Sequence, residues 1–148
     1  MPTLIDIADA VVAELNGTSG PKVGQPPTAL NARRFYRPVF DLAEMKDLHV
    51  TVVPKGLEMR VADRTLVQHD CSIDVAVQKK LQTADNAEID GLMALVEEIA
   101  DFFRLRRLVS QPNAIWVRTE NSPVYSQEHL EQLRQFTSVL TLTFRVLR

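Results

Sequence analysis

Glycine is scarce, with five residues in 148, and this disfavours glycine-rich phosphate loops before any motif is sought. There is one cysteine, Cys71. That excludes an internal disulfide framework and any zinc site built on two or more cysteines. No stretch approaches the about 18 apolar residues of a membrane helix. The opening segment, Met1 to Ile7, has no basic region, and Asp6 and Asp9 interrupt any apolar run, so no targeting leader is expected. Neither sign of charge dominates: 17 basic against 19 acidic residues leave a net charge of −2. Strong non-specific binding to nucleic acid or to an anionic membrane is not indicated. What is present is ordinary for a folded protein. Hydrophobic residues make up 45% and charged residues 24%, which argues against global disorder. The length predicts one domain, 1–148, able to bury a real core, and the lack of a targeting segment or membrane run predicts a soluble protein made in the cytoplasm.

Spacing then sets the elements. Leu4, Ile5, Ala8, Val11, Val12 and Leu15 recur at intervals of three and four, so residues 3–16 read as a helix. Thr3 is its candidate cap and Asn16-Gly17 its stop. Residues 18–28 hold three prolines and two glycines and predict a loop at 17–28 that is mobile in the free protein. Residues 32–40 read as a strand limited by Pro38, and residues 41–45 as one helical turn. Leu48, Val50 and Val52 alternate with polar residues, as do Leu57, Met59 and Val61, which predicts two strands joined at a hairpin, Pro54-Lys55-Gly56. The clearest strand is 67–80, with Cys71, Ile73, Val75 and Val77 on one face. The clearest helix is 86–108, striped by Ile89, Leu92, Met93, Val96, Ile99, Ala100 and Phe103. A strand at 114–120, a helical turn at 126–131 capped by Ser126, and a strand at 136–147 complete the pattern. The order α-β-β-β-β-α-β-β predicts an α+β domain: an antiparallel or mixed sheet with two main helices on one face.

Catalytic spacing is sought without success. His49, His69 and His129 fall in no metal-binding pattern and read as exposed or edge residues. His69-Asp70-Cys71 brings together base, acid and nucleophile types. Consecutive strand residues point to opposite faces, however, so Asp70 cannot orient its neighbours, and Cys71 reads as buried packing. No nucleophile elbow, P-loop or dinucleotide fingerprint occurs. No cofactor, metal or enzymatic activity is expected. Arginines cluster twice, as Arg33, Arg34 and Arg37 and as Arg104, Arg106 and Arg107. The plain readings are a solvated strand face and favourable charge at a helix C-terminus. The functional reading is a surface facing a phosphate backbone or an acidic partner. Trp116 suits a core or an interface position equally.

Several phrases together carry a resemblance: the first helix, His49 to Pro54, Cys71 to Lys80, Ile89 to Ala100, and Phe136 to Phe144. In element order and in these phrases the chain resembles the tail terminator (tail completion) proteins of long-tailed bacteriophages, the group of the lambda tail terminator. The resemblance implies a structural virion protein, made in the host cytoplasm and placed at the tail or neck. There a homohexameric ring caps the tail tube, ends its elongation and offers the head-tail joining surface. It implies the tail tube protein and the head connector or neck protein as partners, with DNA only as cargo through the lumen and no membrane. The six arginines then become candidate lumen- or partner-facing residues. Two alternatives stand beside it: another phage neck or head-completion adaptor, and a small enzyme or ligand-binding α+β domain.

Overall fold

Strands with one apolar row need a layer to bury it, and here two helices supply that layer. The computed structural model describes residues 3–17, 20–23, 28–36, 48–82, 85–121 and 124–148. In chain order the elements are helix α1 (Thr3–Asn16), strands β1 (Lys22–Val23), β2 (Thr28–Ala29), β3 (Arg33–Arg34), β4 (His49–Val61) and β5 (Val67–Lys80), helix α2 (Asn86–Phe103), strand β6 (Ile115–Glu120), helix α3 (Gln127–Leu133) and strand β7 (Gln135–Leu147). Five strands form one mixed sheet in the order β3-β4-β5-β7-β6, parallel at β3–β4 and antiparallel elsewhere. The protein is α+β.

Cross-strand register explains the core. Cys71, Ile73, Val75 and Val77 pair with Phe144, Leu142, Leu140 and Ser138 of β7. On the other side they meet Leu57, Pro54, Val52 and Val50 of β4. Because side chains alternate between faces, these residues share one face. α1 and α2 cover it with Ile7, Val11 and Leu15 and with Leu92, Leu95, Val96, Ile99 and Phe103. Phe103 stands edge-on to Phe144, with ring centroids 6.5 Å apart.

Four sequence expectations change. Residues 54–56 do not turn the chain. β4 runs unbroken through them, with its register shifting between Pro54 and Gly56, so Lys55 is the extra residue of a bulge. The reversal comes at 62–66, where the Asp63 carboxylate accepts from the N–H groups of Thr65 (2.7 Å) and Leu66 (2.9 Å). These bonds hold its carboxyl below the usual range. A proline followed by a glycine signals a turn, yet both also fit an edge strand at a bulge. Second, the buried stripe of α1 is centred on Ile7, Val11 and Leu15 and takes in Ala10 and Glu14. Third, of the described residues 32–36 of the strand expected at 32–40, two, Arg33 and Arg34, are strand, with Phe35 and Tyr36 beyond them. Pro38 and the turn expected at 41–45 lie outside the described residues, as do 18–19 and 24–27 of the expected mobile loop. Within that loop span, Lys22 and Val23 pair with Ala29 and Thr28. Fourth, α2 ends at Phe103 and not at 108.

The early end of α2 has a visible cause. Leu105 adopts φ 58°, and the Arg106 N–H returns to the Phe103 carbonyl at 3.0 Å. The chain is thereby redirected so that Leu108 is buried. Leu105 itself is 80% exposed, so it holds a left-handed conformation without packing in return. That conformation costs an L-residue about 1–2 kcal/mol, part of which glycine returns as unfolded-state entropy. Leu105→Gly is therefore expected to stabilise the protein by about 0.5–1 kcal/mol, read as a higher urea midpoint at unchanged slope.

Candidate functional site

The face of the sheet turned away from α1 and α2 carries most of the polar residues of the central strands, with Val53, Ala76 and Val139 among them. Asp70 lies directly opposite Arg145 on β7 and opposite Glu58 on β4. Arg145 donates from Nε to Asp70 at 2.9 Å and from Nη2 at 3.3 Å. Asp74 accepts from the Thr141 hydroxyl at 2.7 Å and lies 3.9 Å from the Lys55 ammonium. Arg60 reaches Glu58 at 2.7 Å, and Arg118 reaches Glu120 at 3.3 Å. A shallow polar hollow of about 140 Å³ lies among Glu58, Arg60, Asp70, Ser72, Arg118 and Arg145. A wider groove of about 480 Å³ runs from Lys55 and Glu120 to Ser126 and Gln127 at the start of α3. Both are lined mainly by charged and polar side chains, with Val117 in the first and Val139 in the second. Such a surface suits polar contacts with another macromolecule.

The hydrogen bonds from Arg145 hold the Asp70 carboxyl below the usual aspartate range, against an opposing effect of burial. A lowered folded-state value means that the pair stabilises the fold fully above the ordinary aspartate value, and that this is lost as pH falls through the lowered value. Asp70→Asn is therefore expected to cost about 0.5–1 kcal/mol at neutral pH, a modest figure because Arg145 is partly solvent-screened. The difference from wild type should begin to shrink as pH falls below the ordinary aspartate value and vanish below the lowered one. Parallel urea titrations at pH 7 and near pH 3 check this.

Within each of the two arginine clusters the side chains have different surroundings. Arg34 is tied to Asp9 of α1 at 2.6 Å and to the Tyr36 hydroxyl at 3.2 Å, which raises its pKa further. Arg106 holds Glu14 of α1 through Nε at 3.0 Å and Nη2 at 2.8 Å, while its guanidinium stacks 4.0 Å over Phe102. Both therefore clamp α1. The two bonds to α1 carboxylates were not visible in the sequence, because Asp9 and Glu14 lie 25 and 92 residues from their partners. Arg104 is the C-cap of α2, at the helix C-terminus where the sequence suggested favourable end charge, whereas Arg107 lies beyond it and forms a single bridge to Ile115. Arg33, Arg104 and Arg107 are exposed. Arg37 lies outside the described residues.

The histidines separate as well. His129 meets the Thr137 hydroxyl at 2.9 Å. His69 is buried, unlike the exposed or edge position expected, because it falls on the apolar face of β5, opposite Met59 and Val146. Asp70 points to the other face, so no triad forms. Trp116 packs on the core opposite Phe144, and its indole N–H donates to the Thr119 hydroxyl at 2.9 Å. β6 carries a bulge at Val117, and Ile115, opposite Arg145, is exposed. Cys71 is fully buried, and burial pushes its thiol pKa up, with Asp70 adding to the shift. Cys71→Ala is expected to cost about 1 kcal/mol. The native thiol should react with a maleimide far more slowly than the same protein in urea.

Among the described residues no group of three or more His, Cys, Asp or Glu side chains is placed to hold a metal ion. No described helix is long and apolar enough to cross a membrane.

The sheet also has open sides. β3 pairs with β4 only at Thr51 and Val52. From Val53 to Val61, among the described residues, β4 is an edge strand, and β6 is the edge at the other side. Past the helical layer the inner row of the β4–β5 hairpin emerges, with Leu57, Met59 and Val61 49%, 57% and 82% exposed. Open edges of this kind are pairing templates unless blunted. Scanned against protein-family models the sequence matches none, and a search of curated proteins returns no match.

Proposed function

We propose that this chain is a structural subunit of a long-tailed phage that assembles as a ring of six, caps the tail tube, ends its elongation and presents the surface joined by the head. The observation that carries this reading is the pair of open sheet sides, the outer half of β4 and β6, beside a projecting apolar hairpin. A subunit with different edges at its two sides suits head-to-tail contacts, which close into a ring by rotation. The resemblance in element order and in the phrases around Cys71–Lys80 and Ile89–Ala100 supplies the identity of the assembly. In it the partners are the tail tube protein and the head connector or neck protein, and DNA is cargo.

Among the described candidate arginines, Arg33, Arg104 and Arg107 are exposed and suit a surface facing the lumen or a partner. Arg34 and Arg106 serve the fold first. A near-neutral chain with a few such cations suits a conduit through which DNA must move, since dense basic contacts would hold it.

The test is negative-stain imaging of tail tubes with and without the purified protein. The expected result is a capped tube end with sixfold density, six copies weighing about 100 kDa. Tube ends left bare, or a cap with another copy number, would overturn the reading. Smaller species in dilute free protein are compatible with it, since weak interfaces dissociate by mass action.

A further inference from the structure

We infer that the free chain pairs with a second copy of itself through the outer half of β4, antiparallel and two-fold, with Met59 at the axis. Three observations lead there. The first is which backbone groups are open. Val67 exchanges both its hydrogen bonds with Arg148, at 2.9 and 3.0 Å, so its N–H and C=O point toward β7. Backbone groups alternate sides along a strand. Those of Gln68, Asp70 and Ser72 therefore point to β4 and meet Arg60, Glu58 and Gly56. The N–H and C=O groups of Leu57, Met59 and Val61 are left pointing outward, and among the described residues no strand lies on that side.

The second observation is the sequence Leu57-Glu58-Met59-Arg60-Val61. Read outward from Met59 it is inverted: apolar residues match at both ends, and an acid faces a base across the centre. Antiparallel pairing about Met59 sets Met59 against Met59, Leu57 against Val61 and Glu58 against Arg60 of the second copy, twice over by symmetry. The outward backbone groups are those that pair in this register. Sliding by two residues sets Glu58 against Glu58 or Arg60 against Arg60, and like charges directly opposite are destabilising. The charges thus choose both the partner and the register. On the other face the exposed row of Leu57, Met59 and Val61 meets the same row of the second copy.

The third observation is a local conflict. Glu58 lies directly opposite Asp70, another carboxylate, and Asp70 takes the Arg145 guanidinium. Within one copy Glu58 has Arg60 two residues along its own strand. The second copy adds a guanidinium on the open side. Pro54, which has no N–H, and the bulge at Lys55 end the available edge, so the pairing is confined to 57–61. A two-fold contact closes at two copies. It is a state of the free protein that occupies the same outer half of β4 as the proposed ring contact, so the dimer gives way when the ring forms.

Sedimentation equilibrium and light scattering on the full chain test this. The expected species is a dimer of about 33 kDa that dissociates on dilution. Glu58→Arg and Arg60→Glu should each weaken it about tenfold or more, by turning two attractions into repulsions. The double variant restores the inverted pairs in reverse and should bring association back to within a few-fold of wild type. Met59→Pro removes an outward N–H and should abolish the dimer. Circular dichroism verifies that each variant is folded, and the two single charge swaps lie at exposed positions. A chain that stays monomeric throughout its soluble range overturns the inference. So does an oligomer that neither charge swap nor Met59→Pro disturbs, or a double variant that fails to recover. Tube-end rings that form normally with Glu58→Arg leave the ring reading in place whichever way the dimer test falls.

Discussion

Phe144→Ala is expected to lower stability by about 3–5 kcal/mol, the range for deleting a buried aromatic ring that its surroundings cannot replace. Phe144 lies in β7, between β5 and β6, fully buried, with Cys71 opposite on one side and Trp116 on the other. Its ring meets Phe103 at 81°, the edge-to-face arrangement that adds to simple burial. Phe103 in turn meets Phe102 at 5.0 Å. Removing Phe144 therefore opens a void where the sheet joins the end of α2. The backbone cannot close that void, because β7 is hydrogen-bonded on both sides. Against a total of about 5–15 kcal/mol this is a large fraction, so the variant should populate unfolded chain at ambient temperature. Phe144→Leu keeps most of the volume and should cost less than half as much. Urea unfolding of the three proteins decides the matter; a loss under about 1 kcal/mol for alanine would mean that the site relaxes and that the aromatic contact contributes little.

The second large effect is expected at Arg106. Glu14 is 8% exposed and accepts from Arg106 and from the Val109 N–H at 2.8 Å. Arg106→Ala leaves a buried carboxylate with one donor and uncovers Phe102. Breaking a buried pair from one side costs about 3–5 kcal/mol, and the partial exposure of Arg106 brings the expected loss to about 2–4 kcal/mol. Arg106→Lys supplies a charge but neither the fork of donors nor the flat surface over Phe102, and should recover only part of it. The double change Glu14→Ala with Arg106→Ala should cost less than the sum of the two single changes, because each single change leaves the other group stranded. Additive losses would show that the two residues act independently.

The sequence displayed what depends on local spacing. β5, β7 and α2 announce themselves because their apolar residues recur at two or at three and four over a dozen positions. Ser126 capping α3 was legible for the same reason, its side chain accepting from the His129 N–H three residues on. Where two conformations share one signal, the reading failed. Pro54-Lys55-Gly56 fits a turn and a bulge alike, and what decides is the register against β5, a contact between distant residues. Leu105 offers no glycine to mark the end of α2. The end is imposed by Leu108 reaching the core. Glu14 looks like a solvent-facing residue of an amphipathic helix until Arg106 and Val109 are brought to it from the other end of the chain. Asn16, read as a helix stop, does more. Its side chain donates to the Ala32 carbonyl at 2.9 Å and accepts the Ala32 N–H at 2.7 Å, so it imitates a strand neighbour just before β3. The site was legible only in part. The arginines were named, but which of them are spent on helix clamps and which stay exposed follows from tertiary pairing.

The place of β7 in the sheet also governs the order in which this chain can mature. β4 and β5 are joined by a tight reversal and can zip together early, since closing a short loop is fast. β7, the last element, is inserted between β5 and β6, and its register joins residues such as Asp70 and Arg145 that lie 75 positions apart. Until it docks, β6 has no neighbour and the inner row of β5 is covered from one side only. This non-local insertion is the expected slow step of folding, since distant pairing slows a fold. A chain lacking residues 135–147 would hold a hairpin but no closed sheet, with the backbone edge of β5 that faces β7 left unpaired. Cooperativity enters with the final strand, and protection of β5 and β6 amides from exchange should rise together with it.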